Sequence, residues 1–424
     1  MGKTIGLKDA IAIGIGGMVG GGIFAVLGLA ISLAKGGTPL AFLFAGIIAL
    51  STSYSYAKLS KKFPQNGGTV RFIQEAFGNG IFAGGINNLL WVSYIVMLAL
   101  YASAFGSYGA EIVSLTGEKE IDVRIFQTGI IILALTINYF SVKLVSNIES
   151  VSVLVKMTIL VAFIGLGFYG FSIHPENLDQ LSPKNWESPL LLLSGGMVIF
   201  VAYEGFELIA NSISDLKNKE KNTEKAYYGA VGIVVVLYIL IAIVTVGVLP
   251  FNEIANAQDY VLAKVAEPTL GKIGFTIITI TALISTFSAI NATVLGSGRV
   301  NYDIAQDKEL PQYFSHKLWG KPIGFLITAI LAIVLVNLFN LESISTAGSA
   351  GFLLIFCIVN YIGFKKHKEL KSRKSIHLIS TVLCGLAFVT LLIQQFSDNK
   401  IGVLIAVGMI VFCFLLEFIY KKST

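Results

Sequence analysis

Charged residues are scarce in this chain of 424 residues: Asp, Glu, Lys and Arg make up 13% of it, whereas 55% of the residues are hydrophobic. A soluble domain carries about 25% charged residues, so this composition excludes an ordinary water-soluble protein. The mean hydropathy of +0.77 agrees. Windows of about 20 apolar residues recur along the whole sequence, which is typical of a polytopic helical membrane protein and leaves no stretch for a soluble domain.

Residues that form disulfides, bind metals or hydrolyse nucleotides are also few. The three cysteines, Cys357, Cys384 and Cys413, fall inside apolar windows, so we interpret them as packing residues. The four histidines lack the spacing of a metal site, and we expect no cofactor. The sequence contains neither a Walker loop nor a His-Glu-x-x-His motif, and its apolar windows contain no paired catalytic residues. We therefore do not expect the protein to be an enzyme, and any driving force for its activity must come from a gradient.

The hydropathy pattern predicts twelve membrane spans. They are expected at residues 9–33, 38–58, 82–112, 122–142, 146–172, 188–212, 226–249, 270–300, 322–340, 343–363, 376–394 and 400–420. The first apolar run is too long and too rich in glycine for a secretory signal, so we expect it to be retained as a helix.

The basic residues are unevenly distributed between the two sides of the predicted membrane. With the N-terminus inside, 23 of the 31 Lys and Arg residues lie in cytoplasmic loops and tails, seven lie outside, and Lys156 lies within a span. This asymmetry follows the positive-inside rule and predicts a cell-membrane protein with both termini in the cytoplasm. Topology explains the net charge of +6, so the lipid bilayer, and no nucleic acid, is the expected partner.

The first span contains six glycines within nine positions, from Gly14 to Gly22. Each glycine costs about 1 kcal/mol relative to alanine in a helix interior. Unpaired backbone groups in hydrocarbon cost several kcal/mol, so a break is tolerated only where it lines a cavity or is buried in protein. The glycine run therefore predicts a broken helix with a binding site near the middle of the membrane.

Lys156 is an ionisable residue within an apolar span, about nine residues from its predicted start. Intramembrane ionisable residues usually face the interior of the bundle and are functional, because burial of a lone charge is costly. Desolvation favours the neutral form of such a lysine, which would let it exchange a proton. The alternative is a lysine that extends to the membrane interface.

The sixth span carries two carboxylates and a glycine, Glu204, Gly205 and Glu207, in an apolar setting. A glycine in mid-span can mark a second break, and the flanking Tyr203 or Phe206 would then cover a ligand. The alternative is a continuous helix in which Glu207 lies near the cytoplasmic end in contact with water.

The two breaks begin two blocks of five spans, residues 9–172 and 188–363, and residues 376–420 add two further helices. Blocks of five spans start on opposite sides of the membrane, as in an inverted repeat with a site at the midplane. The amides at the start of a half-helix bind carboxylates, and the carbonyls at the end of another attract an ammonium group. Such a site suits a zwitterion such as an amino acid.

Four motifs in the expected order make the chain similar to the amino acid permeases of the amino acid–polyamine–organocation superfamily. They are the glycine break with Ile23 and Phe24, the loop at residues 57–78, the sixth-span residues 203–207, and the loop at residues 304–311. The resemblance implies a leucine-transporter-like fold of twelve helices, in which a 5+5 inverted repeat with broken helices 1 and 6 precedes two C-terminal helices.

The resemblance also implies the contacts of the substrate. The amides of Gly21, Gly22 and Ile23 would hold its carboxylate, and the carbonyl of Met18, with carbonyls from the sixth span, would take its amino group. Some family members carry serine at the position of Gly21. The residues implied to form the site are Gly17, Met18, Gly20, Gly21, Gly22, Ile23, Val201, Ala202, Tyr203, Glu204 and Gly205.

Lys156 matches a lysine that proton-coupled family members carry in the fifth helix. The resemblance implies that this lysine takes the place of the sodium ion bound by related sodium symporters. The resemblance implies that it reaches the backbone near Gly17 and a hydroxyl of span eight, for which Ser285 and Ser288 are the candidates. Glu204 stands where many members have an apolar residue. It would favour a polar or cationic substrate, or serve as a second proton site.

The expected function is the import of amino acids by proton symport, with neutral amino acids as the first expectation for the substrate. A sodium symporter of the same fold and an amino acid exchanger are the alternatives, since exchange and symport share these motifs. A receptor that does not transport is a third. The sequence does not fix the oligomeric state.

Overall fold

The computed structural model describes residues 5–64, 67–140, 142–310, 314, 316–318 and 321–423. Helices dominate these residues, and one small hairpin pairs β1 (Lys317–Leu318) with β2 (Lys321–Pro322). The α-helices are α1 Leu7–Met18, α2 Gly22–Ala34, α3 Thr38–Lys62, α4 Gly68–Phe77, α5 Ile81–Ile112, α6 Lys119–Phe140, α7 Val142–Ile173, α8 Pro189–Val198, α9 Lys219–Val248, α10 Phe251–Asn256, α11 Val261–Gln306, α12 Gly324–Leu338, α13 Leu341–Lys365, α14 Lys374–Asp398 and α15 Lys400–Ser423.

Within the described residues, nine helical stretches are long and apolar enough to cross a membrane, and the pair α1 and α2 makes ten. The prediction of a polytopic all-helical membrane protein is therefore confirmed. The two other predicted spans correspond to α6, which has 22 residues, and to the apolar α12, which has 15.

Two spans begin seven or more residues before their predicted starts. Helix α9 begins at Lys219, seven residues before the predicted start at 226, because charged residues continue the helix beyond its apolar part. Helix α11 begins at Val261 and kinks at Gly271, which has a φ of +58°. Pro268 lies just before this kink. The kink agrees with the predicted start of span eight at residue 270.

The first span is broken within the glycine run, as the sequence predicts. Helix α1 ends at Met18, α2 begins at Gly22, and their axes differ by 47°. The sixth span is interrupted at Glu204 and Gly205, and Gly205 has a φ of +117°. The turns on both sides of this second break, Ile199–Tyr203 and Phe206–Asp215, are 3-10 helices, which the sequence did not predict.

The broken spans pack against each other inside the bundle. Helix α1 contacts the segment Phe206–Asp215, while α2 contacts α8 and the segment Ile199–Tyr203. Around them, α3 packs on α9, and α5 packs on α6 and α11. Helices α14 and α15 pack against α13 at the edge, and their exposed leucine, isoleucine and phenylalanine side chains form a surface suited to lipid.

Candidate functional site

The two helix breaks meet through glycines that leave no room for a side chain. A Cβ atom on Gly17 would lie 2.7 Å from the carbonyl oxygen of Gly205, and one on Gly205 would lie 2.4 Å from the carbonyl carbon of Gly17. A Cβ atom on Gly22 would lie 2.8 Å from the Cα atom of Ala202. The glycines thus allow the backbones of both broken spans to touch, which places the predicted site residues in one location.

Backbone groups at these breaks point to a site for opposite charges. The amides of Gly21, Gly22 and Ile23 stand at the start of α2, where a helix supplies them with no carbonyl partner. The carbonyls of Met18 and Ala202 both accept from the hydroxyl of Tyr238, at 2.7 and 3.1 Å. A carbonyl oxygen has two lone pairs, so each retains capacity for an ammonium group.

A small cavity of about 10 Å³, roughly the space of one water molecule, lies beside the breaks. Two tyrosines of α5 form one of its walls, and small residues of α11 form another. The residues that line it are Gly17, Tyr94, Tyr101, Glu204, Leu208, Ala289, Ala292, Thr293 and Gly296.

Tyr94 and Tyr101 were missed by the reasoning from sequence. With Tyr108 they recur every seven residues, a spacing that places all three on one face of α5, and this pattern could have indicated them. The ring of Tyr101 also accounts for Gly21, because a Cβ atom on Gly21 would lie 2.2 Å from the Cδ1 atom of that ring. The aromatic ring fills the space that a serine side chain would need.

The carboxylates of the sixth span are buried and held by the tyrosines of α5. Glu204 is 4% exposed and accepts from the Tyr101 hydroxyl at 3.3 Å. Glu207 is 2% exposed and accepts from the Tyr94 hydroxyl at 3.2 Å and from the Gly205 amide at 2.7 Å. The alternative in which Glu207 contacts water is therefore wrong. Its carboxylate is buried and accepts from the amide of Gly205, immediately before the segment Phe206–Asp215.

Lys156 lies in the interior of the bundle. Its side chain is 0% exposed, and its Nζ donates to the carbonyl oxygen of Gly16 at 3.1 Å, two residues before α1 ends. The alternative that it extends to the membrane interface is therefore wrong. Ser285 and Ser288 are buried on α11, the helix that packs against α7. The Ser285 hydroxyl has no hydrogen-bond partner within the described residues.

Three predicted residues of the sixth span have their groups engaged elsewhere. The hydroxyl of Tyr203 donates to the carbonyl of Phe42 at 2.8 Å, and Phe206 packs against Tyr56. The described lining of the cavity includes neither, so the expectation that one of them covers a ligand is wrong in this structure. The Val201 amide donates to Ser349 of α13, and its carbonyl accepts from the amide of Glu204.

The central cavity continues toward the side of the bundle that holds the N-terminus. A second cavity of about 820 Å³ shares Tyr94 and Leu208 with it and extends to residues such as Asp215 and Pro322 on that side. On the opposite side, α2 packs tightly against one segment, since a Cβ atom on Gly28 would lie 2.0 Å from the carbonyl oxygen of Gln258. The larger cavity connects the site with the N-terminal side.

Comparison with known proteins agrees with this architecture. A family model described as amino acid permease matches residues 5–417. The chain is 33% identical to an uncharacterised protein of Methanocaldococcus jannaschii, over 100% of this chain and 96% of the relative. It is 29% identical to the inner membrane transport protein YbaT of Escherichia coli, over 99% and 97%. It is 26% identical to the serine/threonine exchanger SteT of Bacillus subtilis, over 74% and 70%.

The family and the relatives YbaT and SteT are transporters and not enzymes. The family model spans almost the whole length over which the bundle and its two helix breaks extend. The chain therefore belongs to the amino acid permease family of the amino acid–polyamine–organocation superfamily.

Proposed function

We propose that this protein imports amino acids by proton symport, through alternating access around the site between the two helix breaks. The observation that carries the proposal is the buried ammonium group of Lys156 on the carbonyl of Gly16, at the end of the helix that forms half of the site. A titratable group in that position links the binding of a proton to the placement of α1.

The substrate binds between the ends of the broken helices. Its carboxylate accepts from the amides of Gly21, Gly22 and Ile23, where the dipole of α2 favours negative charge. Its amino group donates to the carbonyls of Met18 and Ala202, which Tyr238 already holds side by side. Gly17, Gly20, Val201, Glu204 and Gly205 complete the backbone of the site.

The proton acts through the contact between Lys156 and α1. Protonated Lys156 donates a charge-assisted hydrogen bond to Gly16 and fastens α1 to α7. Loss of the proton weakens this bond and lets α1 move relative to α7 and α11. In this brace Lys156 would also reach a hydroxyl of α11, for which the buried Ser285 and Ser288 are the candidates.

The distribution of basic residues gives the orientation of the protein in the membrane. The loops and tails on the N-terminal side carry most of the Lys and Arg residues, so that side is the cytoplasmic one. The large cavity then opens to the cytoplasm. Residues 9–172 and 188–363 form the two repeats, and residues 376–420 are additional helices. The helices of the two broken spans move as a bundle against the remaining helices, which act as a scaffold.

Uptake by proteoliposomes tests the proposal. Purified protein in vesicles with an acidic exterior and a neutral interior should concentrate a labelled amino acid, and a proton ionophore should abolish the accumulation. Sodium should have no effect. Failure to accumulate any of the twenty amino acids under a pH gradient would overturn the proposal, and accumulation that requires sodium would replace the proton with that ion.

Exchange is the second candidate, and the similarity to the serine/threonine exchanger SteT favours it. An exchanger would take up labelled amino acid only into vesicles that already contain unlabelled amino acid. Proton symport predicts concentrative uptake into vesicles that contain none.

A further inference from the structure

Two carboxylates stand in sequence along the path from the central cavity to the N-terminal side. Glu204 lines the central cavity, and Glu207 lines the larger one. Both carboxyl groups are buried. None of the described residues that line the central cavity is a lysine, an arginine or a histidine.

We propose that the substrate of this site is an amino acid whose side chain ends in a positive charge, either an ammonium or a guanidinium group, and that Glu204 binds that group. This inference rests on the proposed transport function and specifies its substrate class.

A negative charge on Glu204 remains in the site when a zwitterion is bound there. The start of α2 accommodates the substrate carboxylate, and the carbonyls of Met18 and Ala202 accommodate its amino group. The carboxylate of Glu204 is then left with the hydroxyl of Tyr101 as its donor from α5. A carboxylate buried without a positive partner is unfavourable, and a cation on the substrate removes that cost.

The shape of the central cavity also bears on the side chain of the substrate. Its α11 wall consists of small residues, including Ala289, Ala292 and Gly296. No atom lies within 4 Å of a Cβ atom built on Gly296, so the space next to it is open. The cavity itself holds about 10 Å³ in this structure, so a side chain of the length of lysine or arginine requires it to widen along this wall of small residues.

The larger cavity, which leads from the site to the N-terminal side, is negatively charged. The larger cavity is lined by three carboxylates, Glu207, Asp215 and Asp303, and by one basic residue, Arg299, among the described residues. A cavity lined mainly by one sign of charge concentrates ions of the opposite sign. A cationic substrate is therefore drawn along this route, and an acidic one is repelled.

Matched ligands test the inference on the unmodified protein. Lysine and norleucine have the same four-carbon side chain and differ by the terminal ammonium group, and Nε-acetyl-lysine keeps the side-chain nitrogen without its charge. In a thermal-shift titration of the purified full-length protein, lysine should bind about 10- to 100-fold more tightly than either neutral analogue, as expected for a hydrogen bond to a charged group. Equal affinity for lysine and norleucine would overturn the inference.

The variant Glu204→Gln assigns the contact. It should bind lysine no more tightly than norleucine, because the neutral amide removes the charge that distinguishes the two ligands. An equal loss of affinity for both ligands would mean that Glu204 holds the α-amino group, and the inference would then be wrong.

The outcome also separates this inference from the proposed function. Binding and proton-driven uptake of neutral amino acids, without preference for lysine, would refute the substrate class and leave the transport function intact. Absence of both binding and uptake for every amino acid would refute the transport function and, with it, the substrate class.

Discussion

Gly17 and Gly205 touch across the two broken spans, and neither position has space for a Cβ atom. Each belongs to a different half of the proposed site, so this backbone contact fixes the distance between the ends of the helices. The glycine at 205 is further required by its φ of +117°, which other residues adopt at a cost. The contact between these glycines is therefore the structural basis of the site.

Replacement of Gly205 by alanine should separate the two breaks. We expect Gly205→Ala to reduce amino acid uptake at least about tenfold, because the added methyl group overlaps Gly17 and the positive φ adds roughly 1–2 kcal/mol of strain. Gly232→Ala is the matched control, since a Cβ atom there meets nothing within 4 Å. Uptake by both variants at equal amounts of folded protein measures the effect, and equal rates would contradict the account.

Tyr238 should contribute to substrate binding as well as to stability, whereas Tyr203 should contribute to stability alone. Each tyrosine hydroxyl donates to buried carbonyls, so Tyr238→Phe and Tyr203→Phe should each destabilise the protein by about 1 kcal/mol. Only Tyr238→Phe releases Met18 and Ala202, and we expect it to raise the KM for uptake by about fivefold, the equivalent of about 1 kcal/mol. A similar KM for both variants would mean that Tyr238 has no role in binding.

Glu309 gives the protein a stability that falls as the pH rises. It lies beyond the end of α11, is buried, and accepts from Asn87 at 2.6 Å and from Gln74 at 3.3 Å. Burial raises the pKa of this carboxyl group although the two amides oppose the shift, and Asp307 raises it further while Lys421 lowers it. The native state then holds the proton more tightly than the unfolded chain, so the stabilisation is complete below the ordinary pKa and is lost as pH rises through the raised value.

The thermal unfolding midpoint in detergent tests this sign. Between about pH 4 and pH 7, the midpoint should fall more for the original protein than for Glu309→Gln, since the variant lacks the titrating group. Glu369→Gln is the control with the opposite sign: Lys366 and Lys62 outweigh burial and lower the pKa of Glu369, so that group loses its stabilising contribution as pH falls. Parallel pH profiles for the original protein and Glu309→Gln would contradict the prediction.

The sequence predicts the parts of this fold that depend on backbone cost and on burial of charge. Six glycines in a lipid-length span are unfavourable unless the helix breaks, and the break lies inside that run, between Met18 and Gly22. A lysine in an apolar span must find a polar partner, and Lys156 finds the carbonyl of Gly16. These features are local, so one chain segment is enough to reveal them.

The parts that the sequence did not reveal depend on how helices face one another. Tyr101 and Tyr238 come from spans that read as plain apolar helices, and their positions at the breaks follow from packing among distant segments. The 3-10 turns of the sixth span likewise depend on tertiary contacts, such as the Ser349 hydroxyl that accepts from Val201 and donates to Val198. Hydropathy contains no information on either.

Lys156 provides the most direct test of the central claim, which is that its proton drives transport. Proteoliposomes with Lys156→Met or with the original protein should be compared under an imposed pH gradient, with thermal-shift binding of amino acid as proof of a folded site. The account predicts that the variant binds amino acid but does not concentrate it, because it has no proton to exchange at Gly16. Gradient-driven accumulation by Lys156→Met to the same level as the original protein would contradict the account.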